Sequence, residues 1–215
     1  VESIMEKGEF ENYDKCEEYI RDAIKIGDND IGSFEIFTEL EKLLEDDYRH
    51  PVPTGVDGLD NILNGGLAKG EIGVVLAPTG VGKTTMLTRF ANTAFNMGYN
   101  VLQIFFEDNP KIIQRKHFTC WTGIPNDKLS EHKETVLDKA DEMKKTGGKL
   151  ILKKLPSDEM TMLQIKNQVR KIISEGTKID VILIDYIDCI LPDRSFNDEW
   201  KGEGSVMRKF EGMCH

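Results

Sequence analysis

Ala77-Pro78-Thr79-Gly80-Val81-Gly82-Lys83-Thr84-Thr85 decides how the rest of this chain is read. Gly80 and Gly82 let the backbone curl so that successive N–H groups point inward, and a helix beginning just after them adds the positive end of its dipole. The result is a cradle for polyphosphate. Lys83 supplies a cation for the β- and γ-phosphates and Thr84 a hydroxyl for Mg²⁺, while Pro78, Thr79, Val81 and Thr85 complete the nucleotide-binding stretch. Ala77 stands where the strict pattern has glycine, a change that extended backbone tolerates. The flanks agree with the motif: Glu71-Ile72-Gly73-Val74-Val75-Leu76 reads as an apolar strand entering the loop, and residues 84 to about 97 read as a helix leaving it. ATP with Mg²⁺ is the ligand this arrangement predicts.

Downstream, apolar runs alternate with helical stretches. The pattern predicts strands at Asn100–Phe106, Lys149–Leu152 and Val181–Ile184, with helices near 110–121, 127–145 and 161–173. Thr161-Met162-Leu163-Gln164 has the spacing of a capping box at the start of the last of these. Such alternation implies an α/β fold with a mostly parallel central sheet covered by helices on both faces, and ligands outside the carboxyl ends of the strands.

The first fifty residues differ in character. They carry sixteen acidic against six basic side chains, whereas residues 51–215 carry twenty-two of each, so the whole net charge of -10 resides in the N-terminal segment. Two short helices are expected there, at 12–26 and 32–46, broken by Gly27-Asp28-Asn29-Asp30. Their apolar residues are too few to fold alone, so the segment either packs on the core or a neighbouring subunit, or is a solvated linker. His50-Pro51-Val52-Pro53 then interrupts helix continuity, which sets the expected boundary between an acidic helical arm, 1–50, and a core, 51–215.

Composition narrows the class further. No apolar run is long enough to span a bilayer and the first residues are too acidic for a secretory signal, which predicts a cytoplasmic protein without a membrane partner. Cys16, Cys120, Cys189 and Cys214 are scattered without a Cys-x-x-Cys pair, so neither a zinc site nor a disulfide framework is indicated and each reads as small buried filler.

Two carboxylates sit where the loop needs them. Asp185 ends the apolar run Val181–Ile184 and would support the metal from the carboxyl edge of the sheet, the Walker B role, with Asp188 in the segment that follows. Glu107 ends the strand directly after the loop's helix, where it could accept a hydrogen bond from a water attacking the γ-phosphate. An isolated acid before Asp108-Asn109-Pro110 would read equally well as a solvated strand end. Its position relative to the loop favours the catalytic reading.

The segment Pro53-Thr54-Gly55-Val56-Asp57-Gly58-Leu59-Asp60, with Gly65-Gly66-Leu67 and Lys69-Gly70-Glu71, resembles the entry to RecA-like P-loop ATPase cores. Within that superfamily Val101–Glu107, Asp108-Asn109-Pro110, Arg115 and Ile184-Asp185-Tyr186 resemble the DnaB-type replicative helicases, those of tailed phages among them. The resemblance covers about residues 50 to 215, and Gly65-Gly66-Leu67 also occurs in circadian-clock and recombinase relatives. It implies a homo-hexameric ring with ATP between subunits, single-stranded DNA in the pore, and a primase or helicase loader as further partner. It assigns phosphate to Lys83, Mg²⁺ to Thr84 and Asp185, and water activation to Glu107. Arg194, Trp200 and Lys201, within 191–201, would face DNA, or this stretch is a surface loop. The family's glutamine sensor, second DNA loop and trans-acting arginine finger would follow His215, so the chain is expected to be part of a longer protein and to hydrolyse ATP poorly alone. Two other functions fit the same residues: a RecA- or clock-type ATPase without unwinding, and an assembly protein whose oligomer ATP stabilises.

Overall fold

The computed structural model describes residues 49–157, 160–192 and 199–214. The helices expected at 12–26 and 32–46 lie outside them. Among the described residues the elements run α1 (Asp57–Ile62), α2 (Lys83–Asn96), β1 (Val101–Phe105), α3 (Pro110–Thr122), α4 (Lys133–Met143) and β2 (Leu150–Lys154), then β3 (Met160–Thr161), α5 (Met162–Ser174), β4 (Val181–Asp185), β5 (Ile190–Leu191) and α6 (Glu199–Cys214).

The central sheet has the order β2-β1-β4 and is parallel throughout. Phe105 lies opposite both Lys154 and Asp185, so the three strands end flush at their carboxyl edge. β1 is central and fully buried, which is why it reads as an almost unbroken apolar run. Its two-residue period sorts the core. Leu102, Ile104 and Phe106 pack with Met162, Ile165 and Val169 of α5 and Val206 and Phe210 of α6. On the other face Val101, Leu150, Val181 and Leu183 meet Ala91, Ala94 and Phe95 of α2 and Trp121 of α3. Each fully buried aliphatic or phenyl side chain contributes about 1.5–3 kcal/mol, so the layered arrangement rests on these two clusters.

Local chemistry sets the helix ends. At α5 the expected capping box is present: Gln164 N–H donates to Thr161 Oγ1 and Thr161 N–H donates to Gln164 Oε1. At α3 the Asn109 side chain accepts from Lys111 N–H, Pro110 occupies the first turn, and Gly123 closes the helix with φ +71.

Four expectations are corrected. Residues 71–77 are not a strand: they make no ladder, and Val74 and Leu76 remain 57% and 90% exposed. Apolar, β-branched composition biases the backbone towards extension, but a strand also needs a partner, and β4 is bonded to β1 alone. The helix expected over 127–145 is confined to Lys133–Met143. Asn126 and Asp127 favour a turn, and Arg115 holds it by donating to Asn126 O, Asn126 Oδ1 and Ser130 Oγ, while Leu129 buries its side chain beneath. β3 and β5 form a second, two-stranded parallel sheet that the pattern did not predict. Cys189 is buried as expected, but Cys120 is exposed.

Candidate functional site

The loop enters α2 through glycine geometry. Gly80 and Gly82 have φ of +83 and +110, in the left-handed region that side chains disfavour. A Cβ built on Gly80 would meet nothing within 4 Å, so it is the backbone conformation, and not crowding, that demands glycine there. No side chain caps the N-terminus of α2 and no acid occupies its first turn. The N–H groups that a capping side chain would satisfy elsewhere are thus left to an anion. Thr88, buried, donates to Thr84 O at 2.7 Å and secures that first turn.

The entry segment braces the same helix. Arg89 donates to Gly55 O at 2.6 and 3.0 Å. Asp60 accepts from the Thr54 hydroxyl and N–H and from Gly55 N–H; desolvation raises its carboxyl, but these bonds outweigh it and hold the group below its ordinary value. Val52 pairs with Leu67, and Gly66 permits the approach: with φ +127, a Cβ there would lie 2.1 Å from Val52 O. Arg49 donates to Leu63 O and Gly66 O and forms an ion pair with Glu71, whose carboxyl this hydrogen-bonded guanidinium draws down to about 2.

At the carboxyl edge of the sheet the sequence-assigned residues converge. Asp185 is the last, buried residue of β4 and Glu107 lies two positions beyond β1, with Phe106 N–H donating to Asp185 O to extend the pairing. Tyr186 links Glu107 to the loop. Its phenol donates to Glu107 Oε1 at 2.7 Å, and the Lys83 ammonium stands 5.4 Å from its ring centroid. The bond to Glu107 pushes the phenol well above its ordinary value, so it stays protonated and donating. Lys154, at the end of β2, donates to Glu107 O, and Lys116 pairs with Asp108. Pro78, Thr79, Val81 and Thr85 lie on the exposed rim of the loop, Lys83 and Thr84 half-buried within it, and Asp188 falls in the short turn Ile187–Cys189. Arg194 and the side chains of Trp200 and Lys201 lie outside the described residues.

The residues fit a nucleotide with Mg²⁺. The loop offers an uncapped helix end and one cation. Thr84 and Asp185 offer two hard oxygen donors, and no cluster of three or more His, Cys, Asp or Glu forms a cage of its own among the described residues. Mg²⁺ suits such a sparse set, because it retains waters and takes phosphate oxygens as further ligands.

Sequence reasoning assigned no role to two features. Tyr186 was visible as a residue, but nothing local signals that its side chain meets positions 83 and 107. Behind the loop, His117 is buried at 2% exposure between Asn92 Oδ1, 2.7 Å from Nδ1, and Gln103 Oε1, 3.0 Å from Nε2. Desolvation lowers its pKa to about 4, so the ring is neutral at ordinary pH. A neutral ring donates through one nitrogen and accepts at the other, so Gln103, whose Nε2 otherwise lacks a partner, satisfies it by turning its amide to donate. Polar residues at 92, 103 and 117, on faces otherwise apolar, were the available signal.

The family described as "ATPase: KaiC" matches residues 52–200, which hold the entry segment, the loop, Glu107 and Asp185. The chain belongs to this KaiC-type ATPase family. Related to this ATPase domain are the DNA repair protein RadA of Mycobacterium tuberculosis (strain H37Rv), 30% identical over 95 residues, 42% of this chain and 20% of that protein, and RadA of Aquifex aeolicus (strain VF5), 30% identical over 122 residues, 57% of this chain and 24% of that protein. The chain thus spans a fifth to a quarter of these repair proteins. Among solved structures, a helicase ATPase domain superposes with a TM-score of 0.65 at 16% identity, covering 81% of this chain and 63% of that one. A DnaB-like replicative helicase, described with its interactions with primase, superposes with a TM-score of 0.71 at 17% identity, covering 99% and 52%. The fold of this KaiC-family domain is accordingly RecA-like, with parallel strands flanked by helices.

Proposed function

We propose that this chain is the motor domain of a DnaB-type replicative DNA helicase, in which ATP hydrolysis drives translocation along single-stranded DNA. The observation that carries the reading is the meeting of Lys83, Glu107 and Tyr186 at the carboxyl edge of the sheet beside Asp185. The loop and Lys83 bind the phosphates, Thr84 and Asp185 hold Mg²⁺, and Glu107 accepts a hydrogen bond from the attacking water and so orients it towards the γ-phosphate. Bound Mg²⁺ supplies charge neutralisation at the phosphates. In this reading residues 51–215 form the motor core and 1–50 an acidic arm; the assembly is a cytoplasmic homo-hexamer with single-stranded DNA in its pore and a primase or loader as partner. Both the DnaB-like superposition and the carboxylate after β1 support the helicase branch.

A second reading is an ATPase acting on DNA without separating strands, favoured by the 30% identity to RadA across the loop region. Incubation with a forked duplex and ATP distinguishes them. Strand separation that is lost in Lys83→Ala and Glu107→Gln supports the helicase; DNA-stimulated hydrolysis without separation supports the second reading. Glu107→Gln should abolish hydrolysis while leaving binding of a fluorescent ATP analogue intact, and retained turnover would remove Glu107 from the mechanism.

A further inference from the structure

We infer that Tyr186 is a positioning residue for Glu107, fixing the carboxylate through its phenol while its ring rests beneath the Lys83 ammonium. The inference rests on the proposed role of Glu107 in orienting water and adds to it a residue that this role requires.

Glu107 is an exposed side chain beyond the end of β1, where nothing in the sheet restrains its rotamers. A free glutamate of this kind gives up about 1.5–2 kcal/mol of rotamer entropy when fixed. Two bonds fix it here. Lys154 Nζ donates to its main-chain oxygen at 3.1 Å, and the Tyr186 hydroxyl donates to Oε1 at 2.7 Å. Among the described residues Oε2 has no hydrogen-bond partner, so one carboxylate oxygen is anchored and the other is left for a water. Tyr186 is held in turn from below: it directly follows β4, whose register places Asp185 opposite Phe105, two residues before Glu107.

The ring contact gives Tyr186 a second link. Lys83 stands 5.4 Å from the ring centroid, within the range of a cation–π interaction. The side chain that orients the carboxylate therefore also touches the lysine that reads the phosphates. Tyr186→Phe separates the two contacts, because it keeps the ring and removes the donor.

The test is single-turnover ATP hydrolysis by the full chain, with protein in excess, for wild type, Tyr186→Phe, Glu107→Gln and the double variant. Binding of a fluorescent ATP analogue is measured alongside. Loss of one hydrogen bond to a charged group should slow Tyr186→Phe about tenfold or more, with nucleotide affinity unchanged within about twofold. In the Glu107→Gln background the same substitution should have no further effect, since there is no carboxylate left to orient. Wild-type turnover by Tyr186→Phe, or an equal slowing in both backgrounds, overturns the inference. Full activity of Glu107→Gln overturns instead the underlying reading of Glu107, so the two failures are separable. Unchanged analogue binding by Tyr186→Phe excludes misfolding as the cause of a rate loss.

Discussion

Replacing His117 by glutamine should make the stability of this domain less sensitive to acid. In the folded chain desolvation lowers the imidazole's pKa from 6.5 to about 4, whereas the unfolded chain takes up its proton near the ordinary value. The neutral ring thus contributes its full stability above about pH 7.5. That contribution falls as pH drops through 6.5, because the unfolded state gains a proton that the folded state refuses, and it levels off only below about 4. Between pH 7.5 and pH 5 the linkage costs the folded state about 2 kcal/mol, a large share of the stability of an ordinary domain. Asp60, Glu71 and Asp180 also lose stability in acid, because each is held below its ordinary value in the folded chain, but they do so equally in both proteins. Urea unfolding at pH 7.5, 6 and 5 therefore reads the difference: wild type should lose about 2 kcal/mol more than His117→Gln across this range. Parallel pH profiles would refute the argument, since they would mean that the ring titrates alike in both states. A wild type that gains stability relative to the variant in acid would show instead that the ring is an imidazolium donating to both Asn92 and Gln103.

Two further substitutions probe the scaffold. Thr161→Ala removes the acceptor for Gln164 N–H and half of the capping box, and should cost about 1 kcal/mol in chemical denaturation; an unchanged midpoint would mean that the cap is dispensable. Gly66→Ala places a methyl 2.1 Å from Val52 O at φ +127, so it should destabilise the domain by about 2 kcal/mol or more and uncouple the entry segment from Leu67, visible as faster amide exchange at Val52 and Leu67; a stable variant would show that this crossing is not close-packed.

The parts of the fold that were legible in the sequence are those whose cause is local. β1 is readable because burial on both faces makes it apolar end to end, and α5 because Thr161 and Gln164 announce its first turn. Glycines and a lysine at fixed spacing likewise give the loop. What escaped reading depends on partners distant in sequence. β3 and β5 pair over two residues each across an intervening helix and strand, too short to leave a pattern. Residues 71–77 have strand composition, yet composition cannot say whether an edge will accept them. The turn before α4 is held by Arg115, eleven residues before Asn126. The same limit applies at the site: Lys83, Glu107 and Asp185 are assigned by position along the chain, but Tyr186 acquires meaning only when the ends of β1 and β4 bring residues 83, 107 and 186 within reach.

The flush ends of β2, β1 and β4 carry a consequence for how activity is lost. A slip of one residue between parallel strands shifts the partners by about 3.3 Å and turns inward side chains outward, so no intermediate register keeps both the core and the placement of Glu107 against Asp185. The chemistry has no melting of its own. Heat or denaturant should leave each molecule either fully competent to orient its carboxylate or not at all, and a population half inactivated would be a mixture of intact and unfolded chains, not a collection of slower ones.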